Sequence, residues 1–435
     1  MVRQGRYDPA MAVDLAELTA DELKAEARAW LADNLPAGWM EAVDHGDDDA
    51  WLKLRLGLDY ADWCTRFGDA GYATPTWPAE YGAGLSLAPG QAKHVNDVLS
   101  KYKVPRPFNL IGIGMGGPTL IQWGTEAQKQ QLLRGIATNE EIWCQLFSEP
   151  GAGSDVAGLS TRAVRDGDEW VVNGQKVWTT LAHLSRWGML LARTNADVPK
   201  HRGLTYFVVD MHAPGVEVRP LVQLTGDAEF NEVFFHDARV PDAMRVGPEG
   251  DGWHVAITTL MNERVALSGA GSLSGEVGGS GIDRLIARHQ PVADTGLRQR
   301  LAAAYIDNQL IRWNNQRAAD KRRGGAEAGP EGSITKLMQA EYNQRLQKLA
   351  VDLEGPYAAA WEGDGLAHQG GLGWVRTDTA DHRSVVRGFL RAQANTIEGG
   401  TSNVMRNILG ERVLVLPKEP DQSRDVPWKD VPRSG

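Results

Sequence analysis

The chain has 435 residues, 42% of them hydrophobic and 23% charged, with a net charge of −10. This length points to about two or three domains, and the negative balance argues against nucleic acid as the main partner, because phosphate binding needs a positive field. Two cysteines, Cys64 and Cys144, are too few for a disulfide framework or a cysteine-rich metal site and fit a reducing cytosol. The opening MVRQGRYDPAMAVDLAELTADELKAEARAW has no signal-peptide core. No run approaches the ~18 apolar residues of a membrane span. The expectation is a soluble, cytoplasmic protein.

From about Thr19 to Asn139 the pattern is helical. LTADELKAEARAWLADNL offers Thr19 as an N-cap with acids in the first turn, and TEAQKQQLLRGI repeats the scheme from Thr125. From Ile142 to about Val246 the period shortens. STRAVRDGDEWVVNGQKVWTT alternates β-prone runs with Asp166-Gly167 and Asn173-Gly174, both hairpin signals. GLTYFVVDM, GVEVRPL and NEVFFHDARVP add strands, giving a small antiparallel β domain between helical regions. From Gly252 the helical period returns in GWHVAITTLMNERVALSGAGSL, LRQRLAAAYIDNQLIRWNNQRAA and SITKLMQAEYNQRLQKLAVDL, with a Gly-rich loop at 321–333. A last helix runs from about Ser402 to Val415 and stops before Pro417. The polar tail after Lys418 is expected to wrap a surface.

Several motifs carry little. GIGMGG (112–117) satisfies G-x-G-x-x-G, but no strand precedes it and Pro118 follows, so close approach of two elements or room for a ligand is the better reading. SITK (333–336) lacks the companion elements of a β-lactamase and reads as helix. The ten histidines show no ligand spacing, so no metal is expected. The tryptophans are read mostly as core or interface. CQLFSEPGAGSDVAGLSTRA (144–163) says more. Its loop Glu149–Asp155 is rich in small residues with free N–H groups and can approach a phosphate or a flat ring; the plainer reading is a turn between strands. KVWTTLAH (176–183) offers a tryptophan and hydroxyls on another strand, and a flat cofactor would fit between them.

FSEPGAGSDVAGL, NGQKVWTT, GWHVAITTLMNERVAL and NTIEGGTSNVMRNILGERVLVLP together resemble the acyl-CoA dehydrogenase family in order and spacing, over nearly the whole chain. The resemblance implies an α+β fold: a helical domain at 1–140, an antiparallel β domain at 141–246 and a four-helix domain at 247–435. It implies FAD at a subunit interface of a homotetramer, an acyl-CoA substrate and an electron-transfer flavoprotein as acceptor. By the same resemblance, Leu146, Phe147 and Ser148 line the flavin. Gly153 and Ser154 approach FAD, and Ser154 also approaches CoA. Trp178 packs on the ring with Thr180 near its reactive nitrogen, and Thr401 and Asn403 reach FAD from the last helix. Two family segments are altered: RLIARHQPVADTGLRQR (284–300) replaces R-x-T-F-G, and DLEGPYA (352–358) replaces Q-x-x-G-G-x-G.

The implied reaction is α,β-dehydrogenation of the thioester to the trans-2-enoyl-CoA. A base removes the α-proton, and hydrogen bonds stabilise the developing enolate. Competing readings are a flavin oxidase or monooxygenase on this fold, and a non-catalytic partner in a hetero-oligomer. The carboxylate in ANTIEGGTSNVMRN, Glu398, reads either as that base or as an acid favouring a helix N-terminus. In many family members the base directly precedes Gly-Thr-Ser; here that position is Gly399, one residue past Glu398. Another branch carries the base on an earlier helix, before an arginine, and Glu263-Arg264 match it. The resemblance thus implies Glu263 as base, the Gly399 N–H as donor to the thioester carbonyl, and substrate contacts at Ser154, Arg264, Gly399 and Gly400. Leu260, Met261 and Val265 are expected to raise the pKa of Glu263 by desolvation. The alternative is an ordinary ion pair at Glu263, with Glu398 reaching the substrate.

Overall fold

Local signals set the first helices. Thr19 and Glu22 form a reciprocal capping box at the start of α1 (Ala20–Asn34), pairing donors that a helix end leaves open. Then come α2 (Trp39–His45), α3 (Asp48–Leu56), α4 (Tyr60–Asp69), α5 (Pro89–Lys101), α6 (Gly117–Trp123) and α7 (Glu126–Ala137), the last with its own capping box from Thr125 and Gln128. The computed structural model describes residues 15–268, 280–323, 329, 330, 332–360, 382–418, 420 and 423–432. Two compact units emerge: residues 1–113 with 124–142, and residues 114–123 with 143–435.

In the first unit the core gathers Leu23, Leu31, Trp39, Trp63, Phe67 and Leu99. Its buried indoles are satisfied: Trp39 Nε1 donates to the Tyr102 carbonyl at 2.7 Å and Trp63 Nε1 to that of Pro105 at 2.9 Å. GIGMGG forms a π-helical turn, Gly112–Gly116, leading into α6. A Cβ at Gly116 would stand 3.1 Å from the Trp143 ring, so close approach explains that glycine.

The second unit is built on an eight-stranded sheet. Its strands are β1 (Trp143–Leu146), β2 (Arg162–Asp166), β3 (Glu169–Thr180), β4 (Trp187–Arg193), β5 (Leu204–Asp210), β6 (Val216–Leu221), β7 (Phe230–Pro241) and β8 (Arg245–Val246). The order is β6-β7-β3-β2-β4-β5-β8, with β1 beside β4. Pairing is predominantly antiparallel; β4 also pairs in parallel with β1 and, at one residue, with β2. Asp166-Gly167 turns the β2–β3 hairpin as expected. Asn173-Gly174 does not turn. It lies inside β3 at a register shift, where a Cβ on Gly174 would fall 2.4 Å from Thr161 Oγ1. The glycine marks a bulge and a close approach, the second meaning of glycine in a strand.

Helices α8 (Gly252–Ser268), α9 (Ser280–His289), α10 (Thr295–Arg323), α11 (Gly332–Glu354), α12 (His382–Ala392) and α13 (Ser402–Ile408) complete this unit, and α13 runs on as a π turn to Val413. The final helix therefore ends slightly before the expected Val415. Of the Gly-rich loop expected at 321–333, residues 324–328 and 331 lie outside the described residues, while 321–323 still belong to α10 and 332 and 333 already to α11. Among the described residues no helix is long and apolar enough to cross a membrane, and no acid, histidine and cysteine cluster could hold a metal.

Candidate active site

The loop after β1 is pinned by a charge. Glu149 is 8% exposed and accepts from the Ser160 and Thr161 amides at 2.6 and 2.9 Å and from Lys176 Nζ at 2.9 Å. Lys176, on β3, is fully buried and also donates to the Phe147 carbonyl at 3.0 Å. Burial pushes the Glu149 carboxyl up, but Lys176 and the amide donors outweigh it and hold the pKa below the ordinary range. Burial depresses Lys176, and Glu149 opposes that shift. The Val177 amide donates to the Ser148 carbonyl at 2.9 Å, closing the loop onto β3.

Between these anchors Gly153, Ser154 and Asp155 are exposed, and a Cβ on Gly151 or Gly153 would meet nothing within 4 Å. Leu146 and Phe147, expected to line a flavin, are 0% and 3% exposed. Leu146 belongs to the sheet core, and Phe147 stands edge-on to Tyr206 at 5.9 Å. What these two can offer a ligand is main chain. Trp178 is the opposite case. It is 62% exposed, with φ +61° at a register shift in β3, and meets Phe230 edge-on at 6.0 Å. A left-handed conformation in a bulky residue costs about 1–3 kcal/mol and persists at ligand sites. Thr180, half-buried, pairs with Phe230 across the strands.

The helical segment reaches the same region. Arg391 of α12 lies over Phe230 at 5.7 Å, binds Glu229 at 3.2 Å, and clamps Glu398 through two bonds of 3.1 and 2.9 Å. Asn395 Nδ2 adds a third donor to Glu398 at 2.7 Å. Burial raises the pKa of Glu229, and Arg391 opposes the shift. Glu398 is thus held by three hydrogen bonds, and the cap of the following helix is Thr401. Gly399 and Gly400 follow with φ of +61° and +94°, conformations that favour glycine. Thr401 Oγ1 accepts the Val404 amide at 3.1 Å as the N-cap of α13, Asn403 is exposed, and Ser402 Oγ is enclosed without a partner among the described residues.

Glu263 lies on α8 one turn after Thr259, whose hydroxyl meets Tyr206 at 3.1 Å and Thr119 at 2.9 Å and so seats the helix on β5 and α6. The charge of Lys336, on α11, reaches both Glu398 and Glu263. Its Nζ donates to the Asn395 carbonyl at 2.7 Å. Of the apolar neighbours expected around Glu263, Met261 is 49% exposed. The side chains of Arg264 and Val265 lie outside the described residues.

Sequence reasoning missed Glu149 with Lys176, and Arg391, and set Lys336 aside within SITK. No spacing links these partners; only the fold brings them together. The two altered family segments meet through an ion pair of 2.9 Å between Arg288 and Glu354. The groove of about 510 Å³ along α10 and α11, lined in part by Arg300, Asp307, Tyr342, Arg345 and Asp352, contains none of the expected site residues.

Exposed Trp178, the open glycines and the enclosed Ser402 hydroxyl fit a flat, phosphate-bearing cofactor. Comparison with known proteins agrees. Residues 17–140, 144–238 and 250–414 match, respectively, the N-terminal, middle and C-terminal domains of acyl-CoA dehydrogenase. The chain is 38% identical to the acyl-CoA dehydrogenase IpdE1 of Mycobacterium tuberculosis, over 92% of this chain and 98% of that one. It is 39% identical to the acyl-CoA dehydrogenase FadE34 of the same organism over 80% of its length, and spans only 45% of that longer relative. The ChsE4–ChsE5 complex from Mycobacterium tuberculosis superposes with a TM-score of 0.67 at 28% identity, over 96% of this chain and 100% of that one. The chain belongs to the acyl-CoA dehydrogenase family of oxidoreductases.

Proposed function

We propose that the protein is an FAD-dependent acyl-CoA dehydrogenase that converts an acyl-CoA thioester to its trans-2-enoyl-CoA and passes electrons to an electron-transfer flavoprotein. The observation that carries this reading is Trp178, exposed and left-handed beside the pinned loop at 148–155. FAD is held by Ser148, Gly153, Ser154, Trp178, Thr180, Thr401 and Asn403, with the main chain of Leu146 and Phe147. When bound, it supplies the acceptor for the β-hydride. Ser154, Arg264, Gly399 and Gly400 contact the substrate.

The base is Glu263. Its carboxylate takes the α-proton, while the Gly399 N–H donates to the thioester oxygen as negative charge develops there. Three hydrogen bonds to Glu398 support excluding that residue, since a base so held must first break from Arg391. The test is anaerobic mixing of FAD-loaded enzyme with straight, branched and sterol-derived acyl-CoAs while flavin absorbance is followed. Glu263→Gln is expected to retain FAD and lose reduction by about 10²–10⁴-fold, the usual contribution of a general base. Glu398→Gln should stay within about tenfold of wild type. The reverse ranking rejects the assignment, and protein that never takes up FAD rejects the whole reading. Rapid reoxidation by oxygen would point instead to an oxidase.

We also propose a homotetramer. On α10, Ile306, Leu310 and Trp313 recur at helical spacing and are 57%, 43% and 66% exposed, an apolar stripe suited to a helix of another subunit. The ChsE4–ChsE5 complex favours a second reading, in which this chain pairs with a different one. Sedimentation of the purified protein separates the two: a tetramer alone supports the first, and a requirement for a second chain supports the other. Buried, unpaired Cys64 and Cys144 support a cytoplasmic location.

A further inference from the structure

The ligand loop has a second anchor. Beyond exposed Asp155 the chain turns through Val156–Gly158, and Arg193, 4% exposed, gathers that turn from below. Its Nη2 donates to the Ala157 carbonyl at 2.6 Å, Nε to Leu159 at 3.1 Å and Nη1 to Lys200 at 3.1 Å. Lys200 Nζ in turn holds both oxygens of Asp155, at 3.0 and 2.8 Å.

The open side of this guanidinium is covered from far along the chain. The Trp428 ring lies over Arg193 at 4.1 Å, and its Nε1 donates to the Gly158 carbonyl at 3.3 Å. Trp428 is itself fixed. Its amide donates to Val198 at 2.9 Å, that of Lys429 to Ala196 at 3.1 Å, Lys429 Nζ pairs with Asp197 at 2.6 Å, and Pro427 bridges Pro199. These residues lie past position 414, where the match to the family's C-terminal domain ends.

We propose that residues 423–432 form a strap that positions the loop for its ligands, with Trp428 the positioning residue. This rests on reading the loop as a cofactor and acyl-CoA site. A planar cation shielded from water is held well by an aromatic face. With both ends of the loop fixed, ordering it on binding costs less, so affinity rises without a new ligand contact.

The test uses the full-length protein with Trp428→Leu, which keeps apolar volume but not the ring, and Trp428→Phe, which keeps the ring but not the N–H. Hydrogen exchange over 151–159 is measured without FAD, and then the FAD Kd and the KM for acyl-CoA. Trp428→Leu is expected to speed exchange and raise Kd and KM about five- to tenfold with kcat within about twofold; Trp428→Phe should recover affinity to within about twofold and loosen only 157–159. Wild-type exchange and affinity in Trp428→Leu overturn the proposal, as does equal loss of affinity in both variants. Should Trp428→Leu fail to fold, unchanged exchange at 157–159 in Trp428→Phe overturns it. Wild type that takes up no FAD overturns the functional reading instead, and the exchange data still judge the strap.

Discussion

Two segments of this protein share one local recipe and use it at different depths. Glu149-Pro150-Gly151-Ala152-Gly153-Ser154 and Glu398-Gly399-Gly400-Thr401-Ser402 each set a carboxylate before small residues. In both, the carboxylate is engaged by a cation, Lys176 or Arg391, while most of the residues after it remain partly or fully accessible, buried Ala152 excepted. The surroundings differ. Lys176 and Glu149 are 0% and 8% exposed, whereas Arg391 and Glu398 are 35% and 33% exposed. The first pair has surrendered its hydration and depends on its partner; the second keeps water as an alternative. A glutamate beside glycines is therefore no evidence of a catalytic base until its partner is known.

Substituting each acid measures that difference. Glu149→Gln leaves Lys176 charged and buried without a counter-charge, and should lower stability by about 3–5 kcal/mol in urea denaturation. Glu398→Gln should cost about 1 kcal/mol, since Arg391 keeps Glu229 and is open to water. Equal costs would break the comparison. The pH dependence sharpens it. The Glu149 pKa is lower folded than unfolded, so its stabilisation is complete above the unfolded value of about 4.3 and is lost as pH falls through the folded one. The stability gap between wild type and Glu149→Gln should accordingly close in acid; a gap unchanged below about pH 4 would contradict this.

Glycine substitutions probe the accessible halves. At Gly400 an alanine meets φ +94° and a Met405 Cε 2.6 Å away, and should cost about 1–3 kcal/mol in thermal unfolding converted to free energy. The smallest structural effect is expected at Gly153, where a Cβ meets nothing within 4 Å. Gly153→Ala should change stability by less than about 0.5 kcal/mol, yet weaken FAD, because the added methyl projects where the ligand would lie. A stability loss at Gly153 as large as that at Gly400 would show that its glycine serves the fold.

Legibility followed the range of the interaction. The caps at Thr19 and Thr125 were readable because a cap is settled within four residues. Asp166-Gly167 was readable for the same reason. Asn173-Gly174 carries an equally strong hairpin signal and failed, because Thr161 crowds that glycine and β7 continues the pairing beyond it. The tail was expected to wrap a surface, but nothing in its composition named Arg193 as its target.

The sequence by itself determined the succession of helical, stranded and helical regions, and the segments that identify the family. Those depend on periodicity and short motifs, which a chain carries in any conformation. Only the tertiary structure decided what each charge does: that Lys176 consumes Glu149, that Arg391 holds Glu398, and that Lys336 lies within electrostatic reach of both Glu398 and Glu263. The reason is electrostatic. The state of a carboxylate depends on burial and on charges within a few ångströms, and those neighbours come from positions that the sequence keeps far apart.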